Sequence, residues 1–272
     1  MIHPISTKTA TQAWLQALNL LAHTDGRCAY NVILDIENPI ALPPTDKRIV
    51  ELLDTLLVSH DKQPVATVAG TIFPASHYRQ RGAKGVFEDF PKKVYPKIKK
   101  SWGTYAGRML TRRDQSGQET RPLEVIIEKL KRQTSGGAPK RAVYELGLID
   151  VFADLPIYDP VLDAKRTMNQ PCLAHLSFKL REDRRGLMLT ALYRNHYYVE
   201  RALGNLIGLS QLLYFVARES GLEPRGLVCH STFARLDFDG GWTVGEIDTL
   251  LQKCTSLSNE AQELACVQAE YQ

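Results

Sequence analysis

The stretch from Pro171 to Arg218 constrains the fold more than any other part of the chain. Ala174, Leu176, Phe178 and Leu180 alternate with His175, Ser177 and Lys179, the period of a half-buried strand. The charged run from Arg181 to Gly186 reads as a hairpin turn,. Leu187 to Tyr193 gives a second strand, and Val199 to Ala217 follows with Leu206, Leu209, Leu213 and Val216 at helical spacing,. The spacing predicts strand, hairpin, strand and buried helix, with Cys172 at the entrance.

The chain has 272 residues, 44% hydrophobic and 24% charged, enough for one full core or two small ones,. A net charge of +4 is a mild bias toward anionic partners,. No apolar run is long enough to span a bilayer, and Met1 to Ile5 lacks the apolar core of a signal peptide,. The five cysteines are scattered, with no Cys-x-x-Cys pair. That fits a reducing, cytoplasmic setting, with neither a disulfide framework nor a zinc site.

Thr9 to Ala22 reads as an amphipathic helix closed by Asp25-Gly26, and Cys28 to Ile36 as a strand. A loop over Pro39 to Pro44 leads to a helix over Ile49 to Val58. From Gly70 to Arg113, cations such as Arg79, Lys84, Lys92, Lys99, Lys100 and Arg108 interleave with Tyr78, Phe87, Phe90, Tyr95, Trp102 and Tyr105. Such a mixture suits single-stranded nucleic acid, although a solvated lysine-rich loop is the favoured reading. Pro122 to Lys131 is a helix with proline at its start. Thr134 to Pro139 is a Gly-rich loop, and Lys140 to Glu145 reads as a strand. Thr243 to Cys254 reads as an amphipathic helix, and Ser258 to Gln272 as a terminal helix or tail.

The central stretch resembles thymidylate synthase. Pro171-Cys172-Leu173 stands where that family has Pro-Cys-His, and Leu192-Tyr193-Arg194-Asn195-His196-Tyr197-Tyr198 where it has Leu-Tyr-Gln-Arg-Ser-x-Asp. Thr45-Asp46-Lys47-Arg48 and Glu51-Leu52-Leu53 are similar to its opening motifs. Val86-Phe87-Glu88-Asp89-Phe90 and Gly103-Thr104-Tyr105-Ala106 look like its Ile-Trp-Asp-Glu-Trp and Pro-Val-Tyr-Gly. Lys140-Arg141 resembles an arginine pair that crosses a homodimer to the partner's nucleotide phosphate. The resemblance runs roughly from Thr45 to Asp237. It implies an α+β fold, a mixed sheet packed by helices and a homodimer across the sheet. A thymidylate-synthase-like domain is expected over residues 1–240, and a helical extension over 241–272.

The chemistry implied is modification of C5 of a pyrimidine nucleotide by methyl or hydroxymethyl transfer. C5 becomes nucleophilic only once a thiolate adds at C6, which is the work of a cysteine. The resemblance assigns that role to Cys172, proton movement to Tyr105 and Glu51, and a wall of the cavity to Phe87. Arg194 is the cation expected to stabilise the thiolate. Arg194, Asn195, Lys140 and Arg141 would hold phosphate, and Asn205 or His175 would meet polar groups of the substrate. Glu51 and Cys172 also have plain readings, as a solvent-facing helix carboxylate and a small buried hydrophobe.

The departures are equally specific. Arg194 stands one place early, which in a regular strand points it to the other face. Leu206 replaces the asparagine that reads uracil, with Asn205 beside it. Tyr198 replaces the aspartate that contacts tetrahydrofolate. Arg235 and Asp237 replace a histidine and tyrosine that grip the sugar, and the segment that closes over folate has no counterpart. Folate is therefore a doubtful cofactor. The alternative is a protein that keeps the fold and binds nucleotide without catalysis.

Overall fold

The computed structural model describes residues 2–98, 103–113, 117–136, 140–148 and 171–270, with side chains given to Ala261 in the last segment. Lys99, Lys100, Trp102 and Pro139 lie outside the described residues, as does the end of the tail at Gln272.

The order of elements is β1 (His3–Thr7), α1 (Ala10–Ala22), β2 (Cys28–Ile36), α2 (Pro44–Ser59), α3 (Val65–Ile72) and α4 (Ala75–Lys84). A π-helical stretch (Gly85–Val94) leads to α5 (Tyr95–Ile98), then α6 (Tyr105–Leu110), β3 (Arg112–Arg113), β4 (Glu119–Thr120) and α7 (Pro122–Thr134). There follow β5 (Glu145–Gly147), β6 (Leu173–Leu180), β7 (Gly186–Tyr193) and β8 (His196–Tyr197). A second π-helical stretch (Tyr198–Ala202) opens α8 (Leu203–Glu219), and β9 (Glu223–Arg235) and α9 (Val244–Glu270) complete the described chain.

The main sheet runs β1-β2-β9-β7-β6-β5, with β8 added beside β9. β1 is parallel to β2 and β7 to β9, while the β2–β9, β6–β7 and β5–β6 pairs are antiparallel. This is the mixed α+β architecture expected. Leu34, Ile36, Leu189, Ala191, Leu176, Phe178, Leu227 and Cys229 fill one face of the sheet and are buried. Helices α1 and α8 pack on these strands. The opposite rows, Ile33–His230–Leu192–His175 and Asp35–Val228–Thr190–Ser177, stay partly exposed.

Local chemistry explains the boundaries. Thr9 caps α1 by accepting from the Gln12 N–H at 3.3 Å, and Trp14 and Leu18 then bury one face,. Trp14 satisfies its indole by donating to the Tyr198 carbonyl at 2.7 Å,. Helix α8 ends where Gly221 adopts φ +72°, which lets the Leu222 N–H reach the Ala217 carbonyl at 2.8 Å,. Gly204 and Gly208 lie one turn apart where α8 meets α3. A Cβ on Gly208 would sit 2.7 Å from Ile72 Cβ and 2.8 Å from the Ala69 carbonyl, and one on Gly204 would sit 2.6 Å from Val68 Cβ. Gly208→Ala is expected to push the helices apart and cost about 1–3 kcal/mol, read as a lower urea midpoint. An unchanged midpoint would show that α3 yields freely.

Several expectations need correction. Thr45 to Arg48 lies inside α2, which opens at Pro44 because proline is pre-set for the first helical turn,. The basic region is largely helical, and Asp89 pairs there with Arg81 at 3.1 Å and Lys93 at 2.6 Å. Only Glu145 to Gly147 joins the sheet, so Lys140 and Arg141 precede the strand. The two C-terminal segments form the single helix α9. β1 and the central β9 carry no clear period and are seen only in the structure. No helix among the described residues is long and apolar enough to cross a membrane.

Candidate functional site around Cys172

Cys172 sits just before β6, half-buried, with its backbone fixed from two sides. Its N–H donates to Tyr105 Oη at 2.9 Å, and the N–H of Leu173 donates to the same oxygen at 3.2 Å. From the other side, the Arg194 N–H donates to the Cys172 carbonyl at 2.9 Å, and Arg194 Nη2 donates to the Pro171 carbonyl at 2.5 Å. β7 ends at Tyr193, so strand alternation does not govern Arg194. The chain turns there and brings the guanidinium beside the thiol. Cys172, Tyr105 and Arg194 therefore come together.

The electrostatics differ from the sequence expectation. Burial raises the Cys172 thiol pKa, and the Arg194 charge only offsets part of that rise,. The resting group is a thiol rather than a thiolate. Burial also pushes Tyr105 up to about 12, so its phenol is neutral and accepts the two backbone N–H groups. Tyr193 lies close by, buried, with a hydroxyl that has no hydrogen-bond partner among the described residues. Asn195 Oδ1 is likewise enclosed without a partner. Cys229 and Cys254 are buried, with thiols pushed up to about 12.

A buried polar chain lies behind Tyr193; the sequence reading singled out Asn205 in it but not His196 or Ser231. His196 stacks on the Tyr193 ring at 4.1 Å between centroids. Asn205 Nδ2 lies 3.1 Å from His196 Nε2 and, being a donor, makes that nitrogen the acceptor,. The proton then belongs on Nδ1, which donates to Ser231 Oγ at 2.9 Å. Burial holds His196 neutral, with its pKa near 3. Two histidine neighbours, Asn195 and Tyr197, carry no periodic signal, so only the fold reveals this chain. Asn205 is thus tied to His196, and Leu206 is core.

The remaining candidates are placed elsewhere. Glu51 is exposed on α2, which packs on α1, α3 and α9. Phe87 is buried against Phe215 of α8, with centroids 5.6 Å apart. His175 points to the open sheet face and meets Glu145 at 2.8 Å; Ser177 and Lys179 bind the same carboxylate. Lys140 and Arg141 are exposed, the latter 2.5 Å from Glu182 of the hairpin. Arg235 lies 4.8 Å from the Tyr197 ring centre and pairs with Asp239. Asp237 accepts from the Val199 and Glu200 N–H groups at 2.9 and 3.0 Å. It thereby caps the π-helical start of α8. Burial raises its pKa to about 6 against those bonds. No group of three or more metal-ligating side chains forms among the described residues.

The fold and site together define a mixed-sheet α+β protein with a cysteine held at a strand entrance beside a phenol and an arginine. Comparison with known proteins gives the family relationship. Over 129 residues, 47% of this chain, it is 30% identical to a Methanosarcina mazei protein named "Putative thymidylate synthase" and covers 51% of that relative. Over 120 residues, 44% of this chain, it is 36% identical to a protein of the same name from Methanococcoides burtonii, covering 47% of it. The matched part spans about half the length of these curated relatives. No protein-family model matches the chain. By sequence it is a distant relative of these proteins.

Proposed function

We infer that the chain binds a pyrimidine nucleoside monophosphate and activates C5 of its base through Cys172. The observation that carries this reading is Cys172 locked between Tyr105 and Arg194, in a chain related to thymidylate synthases. Loss of the thiol proton lets sulfur bond to C6, and the C5–C6 π pair moves toward C5 and the ring carbonyl. C5 can then attack a one-carbon electrophile. Loss of the C5 proton and departure of the thiolate regenerate the cysteine. Arg194 favours the thiolate, and Tyr105 keeps the cysteine backbone in place. The test is mass spectrometry for a covalent adduct on Cys172 with a 5-fluoropyrimidine monophosphate; labelling of a different cysteine, or none, removes the nucleophile.

One observation favours the alternative of a nucleotide-binding protein without catalysis: burial outweighs Arg194 at the thiol. The residues in hand also do not fit tetrahydrofolate. Tyr198, in the place of the family's folate-contacting aspartate, is buried with its hydroxyl 3.4 Å from Ser231, and supplies no carboxylate. Calorimetry with methylenetetrahydrofolate and a pyrimidine nucleotide present is expected to show no micromolar binding. Micromolar affinity would restore folate to the site.

The partly exposed sheet face supports a homodimer. Ile33, Val228, Leu192 and Met188 project from it at adjacent positions, among polar neighbours such as His230 and Thr190. A second copy would cover this apolar strip and bring Lys140 and Arg141 toward the partner. Light scattering at micromolar concentration is expected to give a dimer, and Val228→Arg a monomer. A wild-type monomer at that concentration rules the arrangement out.

A further inference from the structure

Arg194 is the cation beside Cys172, and its place depends on a break in the sheet. Tyr193 of β7 faces Ser231 of β9, and His196 of β8 faces Ala234. Arg194 and Asn195, between them, leave the ladder opposite Thr232 and Phe233. On the β6 side the backbone closes the gap: the Arg194 N–H donates to the Cys172 carbonyl at 2.9 Å. On the β9 side a side chain closes it. Thr232 Oγ1 donates to the Arg194 carbonyl at 2.8 Å, with the Tyr193 carbonyl also in reach at 3.3 Å. A threonine hydroxyl thus takes the place of a ladder bond.

The other neighbour of β9 is irregular at the same level. Asn31 of β2, between the Tyr30–Phe233 and Val32–Ser231 pairs, has φ +54°. Its Oδ1 accepts from His230 Nε2 at 3.0 Å. β9 runs through unbroken between these two irregular strands, and Thr232 ties it to the turn. Local breaks of strand pairing often re-aim a side chain beside a site. The side chain re-aimed here is Arg194, whose Nη2 donates to the Pro171 carbonyl at 2.5 Å. Its charge offsets part of the rise that burial imposes on the Cys172 thiol,.

We propose that Thr232 is a positioning residue: its hydroxyl fixes the turn at Arg194 and so holds the guanidinium at Cys172. This role presupposes Cys172 as the reactive group of the site, but its test needs no turnover. Alkylation of the full chain by iodoacetamide is followed against pH, with mass spectrometry of the Cys172 peptide. The midpoint of the profile reports the thiol's acidity, and the alkaline plateau reports access. Thr232→Val keeps the shape of the side chain and removes the donor. Its midpoint should move to higher pH, in the direction of Arg194→Met. Labelling at a fixed, mildly alkaline pH should slow roughly three- to tenfold, the scale of one lost hydrogen bond. Thr232→Ser keeps the hydroxyl and should keep the wild-type profile. In an Arg194→Met background Thr232→Val should add nothing, because the group it positions is gone. Circular dichroism checks the fold, and Thr232→Ala serves the same comparisons if the valine variant does not fold. A midpoint unmoved by loss of the hydroxyl overturns the proposal. So does an equal shift in the Arg194→Met background, or a serine variant that behaves like valine. If the midpoints move as expected but a 5-fluoropyrimidine monophosphate leaves wild-type Cys172 unlabelled, the nucleophile reading falls and the positioning role stands.

Discussion

Cys172→Ser is expected to lower turnover on a pyrimidine nucleotide by roughly a thousandfold or more, the scale on which removing a covalent nucleophile acts. Nucleotide binding should survive, because arginine and lysine groups, not the thiol, supply the phosphate contacts in this reading. The state of the thiol makes the test sharper. Since burial raises its pKa and Arg194 offsets only part of that rise, alkylation of Cys172 should be slow at neutral pH,. It should accelerate into the alkaline range. Arg194→Met removes the offset, so its alkylation profile should move to still higher pH. Cys229 and Cys254 are fully enclosed and should stay unlabelled in the native protein. A profile that is flat, or that moves to lower pH in Arg194→Met, would refute the electrostatic account. Unchanged turnover in Cys172→Ser would refute the nucleophile itself.

The second large effect is on acid stability, through His196. Its folded pKa is near 3 and its ordinary value is 6.5. The unfolded chain therefore binds a proton that the folded chain refuses. The stabilisation is complete above pH 6.5 and is lost as pH falls from 6.5 toward 3. At about 1.4 kcal/mol per unit, the His196 contribution lost over that range is on the order of 4–5 kcal/mol. Asp237 works in the other direction. Its folded pKa is raised from 3.8 to about 6, so the folded chain takes up the extra proton and gains stability as pH falls through that window,. Urea midpoints measured from pH 7.5 to 4.5 should fall with acid. They should fall more steeply in Asp237→Asn, which lacks the offset, and less steeply in His196→Gln. The direct check is magnetic resonance of the wild type: the His196 ring should show no titration between pH 8 and 5. An ordinary titration near pH 6.5 would mean that the ring is not buried as described.

The sequence alone determined the elements whose signals are local. The alternation in β6, the charged turn, β7 and the spacing in α8 are properties of neighbours a few residues apart. They were legible because one face of each element must leave water. Pro122 as a first helical residue is legible too, because its ring pre-sets the φ of the first turn,. Only the tertiary structure decided the centre of the sheet and the fine geometry of the site. β9 faces the core with Leu227, Cys229, Ser231 and Ala234, residues small enough to sit under α8 but too mixed to announce a strand. Arg194 stood one place early against the family pattern, which would turn it away only if it lay in a regular strand. The strand stops at Tyr193, and the turn carries the guanidinium to Cys172. Glu51 and Phe87 matched motifs, but their helices turn them to solvent and to Phe215. His196, Ser231 and Asn205 come from three different elements, separated by up to 35 residues. Their hydrogen bonds exist only because the fold removes water from all three at once, and no pattern along the chain encodes that.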